Sequence, residues 1–572
     1  MPRPIQTAGS TGNAAFSPQA SKVLFIFVLA IIVYIPAMQA GFIWDDDQLL
    51  TANPLMPDPW GLVKLWFAPT TADYFPLTSS TLWLEWRFWG MSGPGYHVTN
   101  ILLHAFDSVV LMITLQRLRI RGAWLAAVLW AVHPVNAESV AWISERKNTL
   151  SMLFFLCTIL AYLNLEDDPK NRTRWYLLSL LSFFAALTSK TSVVTLPVIL
   201  LLLDWWRRGS ITKQDVVRSI PFFGLSLLLG IVTLYFQYGR AIGGEYIHIG
   251  GFFSRLAGAG MAVWFYLGKT LWPFNLIEIY SNWDIDPPEP WQFLPGMALA
   301  TIFYILWLGR KSWGKAPLFG LSYFVIVLAP VLGFLKMSYM RLTLVADHFQ
   351  YLPMIGILAL VAAAAVTFYD WIPATLRPVS VCACVAVIGG LSWLTWVRAE
   401  VHQSEESLWR DTLDKNPDSW QANNHYGAVL FTQGKIDEAM EHFKRAVQLK
   451  PDNPEVHNNV ALAWANKGHM ELAVPEYAEA VRIRPDNIPI RTNYANALAA
   501  AHRLDDAVEQ YKEAVKWSNN DPNVLMGYAN VLYQDGKKEE AKEVLQEILR
   551  IWPSFQPARQ NLEALKAQSG TR

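Results

Sequence analysis

Cysteine is scarce in this chain of 572 residues, which has only Cys157, Cys382 and Cys384. All three lie inside apolar runs, and Cys382 and Cys384 are two positions apart, so on a helix they point to different faces. This pattern provides neither a disulfide framework nor the cysteine spacing of a metal site. We therefore expect three buried, structural thiols.

Charge is scarce as well. Charged residues make up 16% of the chain and hydrophobic residues 53%, against about 25% and about 45–50% in ordinary soluble proteins. Residues 20–400 carry repeated apolar runs of about 15–20 residues, the length of a membrane helix, whereas residues 403–572 have none. The net charge is zero and says nothing about partners. The composition excludes a single soluble domain and predicts contact with membrane lipids and none with nucleic acid.

The apolar runs predict an all-α, polytopic membrane domain. The twelve candidate helices lie near 22–40, 97–116, 122–141, 149–165, 174–189, 190–206, 219–238, 256–272, 297–309, 316–335, 350–369 and 376–397. Lys and Arg cluster in the loops near 117–121, 170–174, 207–218 and 310–315, which predicts that these loops are cytoplasmic. The acidic loop 41–96 then lies outside.

Counting crossings from the two ends of the chain gives a conflict at loop 273–295. Its four carboxylates without Lys or Arg favour the outside. One segment between 219 and 272 is therefore expected to lie in the interface or to re-enter, which leaves about eleven crossings. The carboxy-terminal part then shares the outer side with loop 41–96, whereas twelve crossings would make it cytoplasmic.

The first 21 residues are polar, and we expect them to be disordered. The apolar run behind them ends in a poor small-x-small cleavage site and is long for a signal core, so it predicts an uncleaved signal anchor. We expect a multi-pass protein of the inner or plasma membrane of a bacterium.

A 34-residue period organises the carboxy-terminal part. Pro417, Pro451 and Pro485 keep this spacing, and so do four alanines and three glycines; the alanines are Ala439, Ala473, Ala507 and Ala541. Small residues where two helices cross, with Pro closing the second helix, predict about four tetratricopeptide repeats plus caps over 401–567. Amide side chains on the inner helices are candidates to dock an acceptor peptide, the alternative being solvated helix faces: Asn423, Asn424, Asn458, Asn459 and Asn493.

Polar motifs recur at the outer ends of the predicted membrane helices, where the triplet Asp45-Asp46-Asp47 follows the first helix. The motifs read Tyr-His-x-x-Asn-x-Leu-Leu-His from 96, His-Pro-x-x-x-Glu from 133, Ser-Lys from 189 and Ala-Asp-x-x-x-Tyr-Leu-Pro from 346. Ionisable residues at membrane depth are costly and are usually paired or functional. Singly, such a residue is more often a hydrogen-bonding member of helix packing. Together they predict a polar chamber lined by His97, Asn100, His104, His133, Glu138 and Asp347.

The order of these motifs, followed by the repeats, resembles the GT-C class of membrane glycosyltransferases. It is most similar to the transmembrane and tetratricopeptide-repeat-containing protein O-mannosyltransferases and their bacterial relatives. The resemblance runs from about 22 to 553 and implies a transferase domain over 22–400. Two positions depart from the family pattern, because Phe75 and His348 stand where an Arg is often found.

The resemblance implies transfer of a sugar, with mannose as a candidate, from a polyprenyl phosphate to Ser or Thr hydroxyls of envelope or secreted proteins. Asp45 would be the base, and Asp46 would orient the acceptor or a bound cation. A lipid phosphate is a stable leaving anion, but it needs cations or donors. The candidates are Arg146, Lys147, Lys190, Arg341 and His348, with Arg146 and Arg341 favoured as bidentate donors. A single displacement would invert the anomeric configuration, and Asp47 would be solvent-facing.

Other functions stay open from sequence. The chain could be a membrane-anchored repeat scaffold for envelope protein assembly, or a GT-C enzyme that acts on a lipid or glycan acceptor. We expect no cofactor, with a divalent cation at the carboxylates as the alternative.

Overall fold

The computed structural model describes residues 17–68, 71–242, 247 and 249–569, and this part of the chain is helical without any β-strand. The all-α prediction is therefore confirmed. The chain divides after Leu408 into a membrane unit and a repeat unit, whereas the sequence prediction placed the division after residue 400.

The membrane unit contains fifteen α-helices and the start of a sixteenth within the described residues. They are α1 Pro18–Val33, α2 Gly61–Phe67, α3 Pro76–Trp89, α4 Pro94–Arg117, α5 Ala123–Ala131, α6 Ala137–Ala141, α7 Arg146–Asp167, α8 Arg172–Ser189, α9 Leu196–Arg208, α10 Lys213–Phe236, α11 Phe252–Leu271, α12 Leu294–Leu308, α13 Lys315–Leu328, α14 Met354–Trp371, α15 Arg377–Val401 and α16 Glu405–Lys415. Helices α2 and α3 fold part of loop 41–96, for which the sequence predicted no helix.

The predicted disorder of the first 21 residues falls mostly outside the described residues. At its end the prediction is wrong, because α1 already begins at Pro18. Ser17 caps this helix by accepting a hydrogen bond from the Ala20 amide at 3.2 Å.

Among the residues that the structure describes, six helical segments are long and apolar enough to cross a membrane, which makes this a membrane protein. They are Pro94–Arg117, Ile143–Asp167, Lys213–Ala241, Pro290–Leu308, Met354–Trp371 and Ala374–Val401, and Pro18–Val33 and Lys315–Val331 are shorter apolar helices. The count of eleven crossings stays a prediction.

Helix α11 is bonded to the loop between α13 and α14 near both of its ends. Near its last turn, the Thr270 carbonyl accepts a hydrogen bond from His133 Nε2 at 3.0 Å, and the Thr270 hydroxyl lies 3.1 Å from Gln350 Oε1. Near its first turn, Arg255 donates to the Phe334 carbonyl at 3.1 Å. Gln350 and Phe334 belong to one loop between α13 and α14. Whether this segment crosses the membrane or lies in its interface stays a prediction.

The predicted helix 122–141 is interrupted after Ala131. Pro134 has no backbone N–H to continue the helix and disfavours helical geometry at His133. The freed carbonyl of Trp130 accepts a hydrogen bond from Asn136 Nδ2 at 2.7 Å. The chain then turns through short helices as far as Glu145, and this buried turn carries several of the polar motifs.

The expectation of three buried thiols is wrong. Cys382 is exposed, and Cys157 and Cys384 are half-buried. Both Cys382 and Cys384 lie on α15, most of whose residues are exposed in the membrane unit. An apolar run in a membrane helix does not distinguish a protein-facing thiol from a lipid-facing one.

The repeat unit consists of paired helices with the predicted period. They are α17 Trp420–Thr432, α18 Ile436–Leu449, α19 Pro454–Asn466, α20 Met470–Ile483, α21 Ile488–Ala500, α22 Leu504–Trp517, α23 Pro522–Gln534, α24 Lys538–Ile551 and α25 Gln556–Ser569. The four periodic alanines are fully buried. The turn within each pair has a positive φ at Gly434, Gly468 and Gly536, and His502 in the equivalent place has φ 60°. Glycine adopts this geometry without strain.

Candidate active site

Asp46 is a fully buried member of the turn that follows α1. Its Oδ1 accepts hydrogen bonds from the Ser144 amide at 2.8 Å and the Ser144 hydroxyl at 2.7 Å, and its Oδ2 accepts one from the Ile43 amide at 3.0 Å. Burial raises the pKa of Asp46 to about 7, and these three donors oppose the rise. The carboxylate is occupied by protein donors, so it ties the Asp45 turn to the segment before α7.

Asp45 is half-buried next to this anchor. Burial raises the pKa of its carboxyl, the Lys147 ammonium opposes that rise, and the charges of Asp73 and Glu145 reinforce it. The preceding residue, Trp44, has φ 47° and stacks on Trp142 with ring centroids 5.1 Å apart. The stacked indoles and the Asp46 anchor hold Asp45 in a defined position.

Asp47 is exposed, and its Oδ1 accepts a hydrogen bond from the Thr51 hydroxyl at 2.6 Å. The three adjacent carboxylates thus have three different environments.

Glu145 forms ion pairs with two lysines near the Asp45 turn. Its carboxylate lies 2.8 Å from Lys147 Nζ and 3.1 Å from Lys190 Nζ, and it is 1% exposed. Asn148 links the group, because its side-chain amide donates to Glu145 at 2.6 Å and accepts from Lys190 at 2.7 Å. The two ammonium groups share this carboxylate, and the charge of Lys147 acts on Asp45. Glu145 and Asn148 were not among the predicted site residues.

Arg146 points away from this group, although it lies between Glu145 and Lys147 in sequence. Its guanidinium is fully buried, lies 3.0 Å from Glu85, donates to the Tyr96 carbonyl at 2.9 Å and bonds the Asn100 side chain. These bonds leave it no free face for a ligand. We reassign Arg146 from donor binding to packing.

Asp73 is a second carboxylate near the lysines, and sequence reasoning missed it. Burial raises the pKa of Asp73, while Lys147 and Lys190 oppose the rise. Its side chain accepts a hydrogen bond from Gln237 Nε2, and Gln237 Oε1 accepts one from the Ser338 amide at 3.0 Å. Loop 41–96, the end of α10 and the turn at Ser338 therefore meet at Asp73. An acidic residue in a long loop gave no signal of this position.

Arg341 and His348, the two remaining predicted phosphate ligands, differ in environment. Arg341 is exposed, and its charge lowers the pKa of Asp45. His348 is buried, hydrogen-bonded to Glu138 through Nδ1 and through its amide at 2.9 Å. Burial lowers the pKa of His348 to about 3, so the ring is neutral near pH 7. It cannot supply a positive charge to a phosphate.

Asp347 and Glu278 belong to a deeper polar network. Asp347 Oδ1 accepts a hydrogen bond from the Tyr280 hydroxyl at 2.9 Å, and burial raises the pKa of Asp347 to about 6. Glu278 lies 3.8 Å from Arg398 Nη2 and 3.4 Å from His402 Nε2. This network connects the end of α15 with the loop before α14.

The other predicted chamber residues take part in helix packing. His97 Nε2 lies 3.1 Å from the Gly41 carbonyl, and Asn100 Nδ2 donates to the Trp142 carbonyl at 3.0 Å. His104 lies between the Tyr351 hydroxyl and the Ala131 carbonyl, each at 2.9 Å. His133 bonds the Thr270 carbonyl, as described above. All four are buried, so they fix the helices around the site instead of lining an open chamber.

The predicted docking asparagines form a partial ladder across the inner helices of the repeat unit. Asn459 Nδ2 donates to Asn424 Oδ1 at 2.9 Å, and Asn493 Nδ2 donates to Asn458 Oδ1 at 3.1 Å. Asn423 instead bonds the carbonyls of Pro417 and Ser419 at the start of its own helix. Asn424 is buried and the other three ladder residues are partly buried, and their role in docking stays a prediction.

One acidic cluster with the spacing of cation ligands occurs among the described residues, and it is remote from Asp45. It consists of Glu166, Asp204 and Asp215. Arg208 lies 3.1 Å from Asp204 and also pairs with the other two carboxylates. The cluster is thus bound by arginine.

The anchoring role of Asp46 predicts a loss of stability on substitution. Asp46→Ala leaves the three donors unpaired in a buried site, which should lower the free energy of unfolding by about 1–3 kcal/mol. The measurement is thermal unfolding of the full-length protein in detergent. Asp47→Ala is the matched control and should unfold like the wild type; equal stability of both variants would contradict the assigned role.

The architecture defines a polytopic membrane protein that carries tetratricopeptide repeats. Family models described as "TPR repeat" and "Tetratricopeptide repeat" match residues 427–468 and 498–566.

The curated relatives extend over the membrane unit. The chain is 24% identical over 450 residues to protein O-mannosyl-transferase F38B6.6 of Caenorhabditis elegans, covering 75% of this chain and 62% of the relative. It is 26% identical over 475 residues to protein O-mannosyl-transferase TMTC1 of Homo sapiens, covering 72% of this chain and 53% of the relative. The chain therefore spans about half to three fifths of the length of these relatives.

Among solved structures, one match is a crystal structure titled "YrrB: a TPR protein with an unusual peptide-binding site". It is 17% identical, and the match covers 32% of this chain and 89% of that chain with a TM-score of 0.26.

Proposed function

We propose that this protein is a membrane glycosyltransferase that moves a sugar, with mannose as the first candidate, from a polyprenyl-phosphate donor to Ser or Thr hydroxyls of proteins. The observation that carries the proposal is a half-buried carboxylate, Asp45, on which the charge of Lys147 acts, with Lys147 and Lys190 both paired to Glu145. The similarity to relatives named protein O-mannosyl-transferases supports it.

The chemistry needs a base and a positive site close together. A hydroxyl is a poor nucleophile, and Asp45 can take its proton as the oxygen attacks the anomeric carbon. The bond from that carbon to the phosphate oxygen then breaks, and the lipid phosphate leaves as an anion. Cations aimed at the leaving oxygens stabilise the developing charge. A single displacement of this kind inverts the anomeric configuration.

The geometry changes the set of residues that we propose for the donor phosphate. Lys147, Lys190 and Arg341 carry the positive charge that faces Asp45 or its neighbours. Arg146 and His348 leave the set, because one is enclosed by Glu85 and Asn100 and the other is neutral. We propose no metal in this mechanism, with Lys147, Lys190 and Arg341 supplying the positive charge.

We further propose that the site faces the extracytoplasmic side of a bacterial membrane and that the repeats dock the acceptor protein. The basic loops at the opposite helix ends support this orientation. An extended acceptor could bond to the amides of the asparagine ladder with its backbone.

The test is incorporation of radiolabelled mannose from polyprenyl-phosphate mannose into protein by the purified full-length chain, with envelope proteins as acceptors. Label in the protein fraction, released by β-elimination from Ser or Thr, supports the proposal. Label in glycolipid alone would identify an enzyme that acts on a lipid or glycan acceptor. If a panel of polyprenyl-phosphate sugars yields no label in either fraction, the proposal is wrong. The alternative, a membrane-anchored repeat scaffold, would then be favoured.

Lys147 should tune the acidity of Asp45. Its ammonium stabilises the Asp45 carboxylate, so Lys147→Gln should raise the pKa of Asp45 further. The base acts only when deprotonated, so the acid limb of kcat/KM should move to higher pH. The KM for the donor should rise about tenfold, for the loss of one charge-assisted hydrogen bond. Rates are measured from pH 4 to 9.

The matched control for this prediction is Lys64→Gln, which removes a cation from the exposed pair with Asp58 in the same outer loop. It should leave the pH profile unchanged. An unshifted acid limb in Lys147→Gln would show that Asp45 is not the titrating base.

A further inference from the structure

We propose that a cavity at the end of the membrane unit opposite Asp45 binds one acyl chain of an anionic phospholipid. The cavity has a volume of about 690 Å³ and lies between α4, α7, α9, α13 and α14. This volume falls within the roughly 300–1,000 Å³ that enclose small ligands. The cavity shares no residue with the site at Asp45.

Small residues on α14 create the space. Helices α13 and α14 touch at Gly320 and Gly356, where an added Cβ would come within 3.0 Å of the facing backbone oxygen. Beyond this contact, α14 presents Ala359 and Ala363 to the cavity, while most of the remaining lining is aliphatic or aromatic. Such a lining offers a lipid chain the contacts that water cannot make.

The polar end of the cavity is basic. Arg119 and Arg121 line it together with the aromatic rings of Trp206 and Trp371. Arg121 is bonded to Asp370 and lies 3.4 Å from Thr367 Oγ1, whereas Arg119 follows α4 with an exposed side chain. Basic pockets between membrane helices bind anionic headgroups, and tryptophans settle at the membrane interface. The basic end and the apolar lining together fit a phospholipid whose headgroup phosphate binds Arg119 and whose acyl chain lies in the cavity.

The proposed phospholipid binds at a different place from the sugar donor. Helix α7 begins beside the site at Arg146 and ends at Asp167, which pairs with Arg117 at 2.8 Å. Its 22 residues span about 33 Å at 1.5 Å per residue. A lipid whose phosphate lies at Arg119 cannot place that phosphate at Lys147. The cavity is therefore a structural lipid site and does not depend on the proposed transfer reaction.

The test is native mass spectrometry of the full-length protein in detergent, with phosphatidylglycerol or phosphatidylcholine added at equal concentration. The wild type should retain one phosphatidylglycerol per chain through detergent washing. Ala363→Trp fills the cavity and should abolish retention. Ala365→Trp is the matched control, because this exposed residue of the same helix does not line the cavity.

Arg119→Gln is a second test variant, and it does not alter the packing of the helices. Arg119→Gln should reduce the preference for phosphatidylglycerol over phosphatidylcholine about tenfold. The control is Lys213→Gln, because Lys213 is an exposed lysine outside the cavity lining. This control should leave the lipid preference unchanged. Asp45→Asn should retain lipid like the wild type, so failure of the transferase proposal leaves this result standing. Equal retention by Ala363→Trp and the wild type, no retained lipid in the wild type, or preferential retention of added polyprenyl phosphate would overturn the proposal.

Discussion

Replacing Asp45 by Asn is expected to lower the rate of sugar transfer by about 10²–10⁴-fold, the contribution typical of a positioned general base. Asn keeps the size and polarity of the side chain but cannot accept the proton of the attacking hydroxyl. The fold should be retained, because the turn is anchored by Asp46 and by the Trp44–Trp142 stack. The measurement is kcat for transfer from a labelled polyprenyl-phosphate sugar to protein at matched expression.

Asp47→Asn is the matched control for this prediction. It removes the same charge two residues away, from an exposed side chain that accepts a hydrogen bond from the nearby Thr51 hydroxyl. Its activity should equal that of the wild type. Full activity of Asp45→Asn would eliminate Asp45 as the base, and loss of activity in both variants would mean that the charge of the loop matters more than the position of one carboxylate.

Replacing Glu145 by Gln is expected to lower the free energy of unfolding by about 3–5 kcal/mol. The carboxylate lies 2.8 Å from Lys147 and 3.1 Å from Lys190 and is 1% exposed. Without its charge the two buried ammonium groups repel one another with no counter-ion in contact, and breaking a buried pair by removing one partner has this cost. The measurement is denaturant-induced unfolding of the detergent-solubilised full-length protein.

Glu400→Gln serves as the control, because Glu400 is an exposed carboxylate near the end of α15 that accepts a hydrogen bond from Trp396 at 2.8 Å. Its effect should stay within about 0.5 kcal/mol. A Glu145→Gln variant as stable as this control would contradict the assigned role. In that case the two lysines would be screened by water and would not form a fixed positive site.

Most helices could be predicted from the sequence, whereas the breaks within them were harder to predict. Apolar runs and a 34-residue period are local patterns, and most of the predicted segments are helices. The break at Pro134 is also a local signal, but the long apolar window around it concealed the interruption. Helices α2 and α3 were missed because their residues are too mixed to stand out as apolar runs.

The predicted site residues illustrate a limit of linear motifs. Arg146 and Lys147 are neighbours in sequence, yet successive residues of a helix point about 100° apart. One therefore faces Glu85, and the other faces Glu145 and the Asp45 turn. Asp73 and Asn148 belong to none of the recognised motifs, and only the meeting of distant segments brings them to the site.

The sequence alone determined that this is a helical membrane protein with tetratricopeptide repeats, because hydrophobic length and repeat period are properties of local segments. It also determined that Asp45 and Asp46 follow the first membrane helix. Only the tertiary structure decided that Asp46 is an anchor, that the charge of Lys147 acts on Asp45 while Lys147 and Lys190 pair with Glu145, and that Arg146 belongs to the packing. Burial and hydrogen-bond partners assign these roles, and both depend on residues that are far apart along the chain.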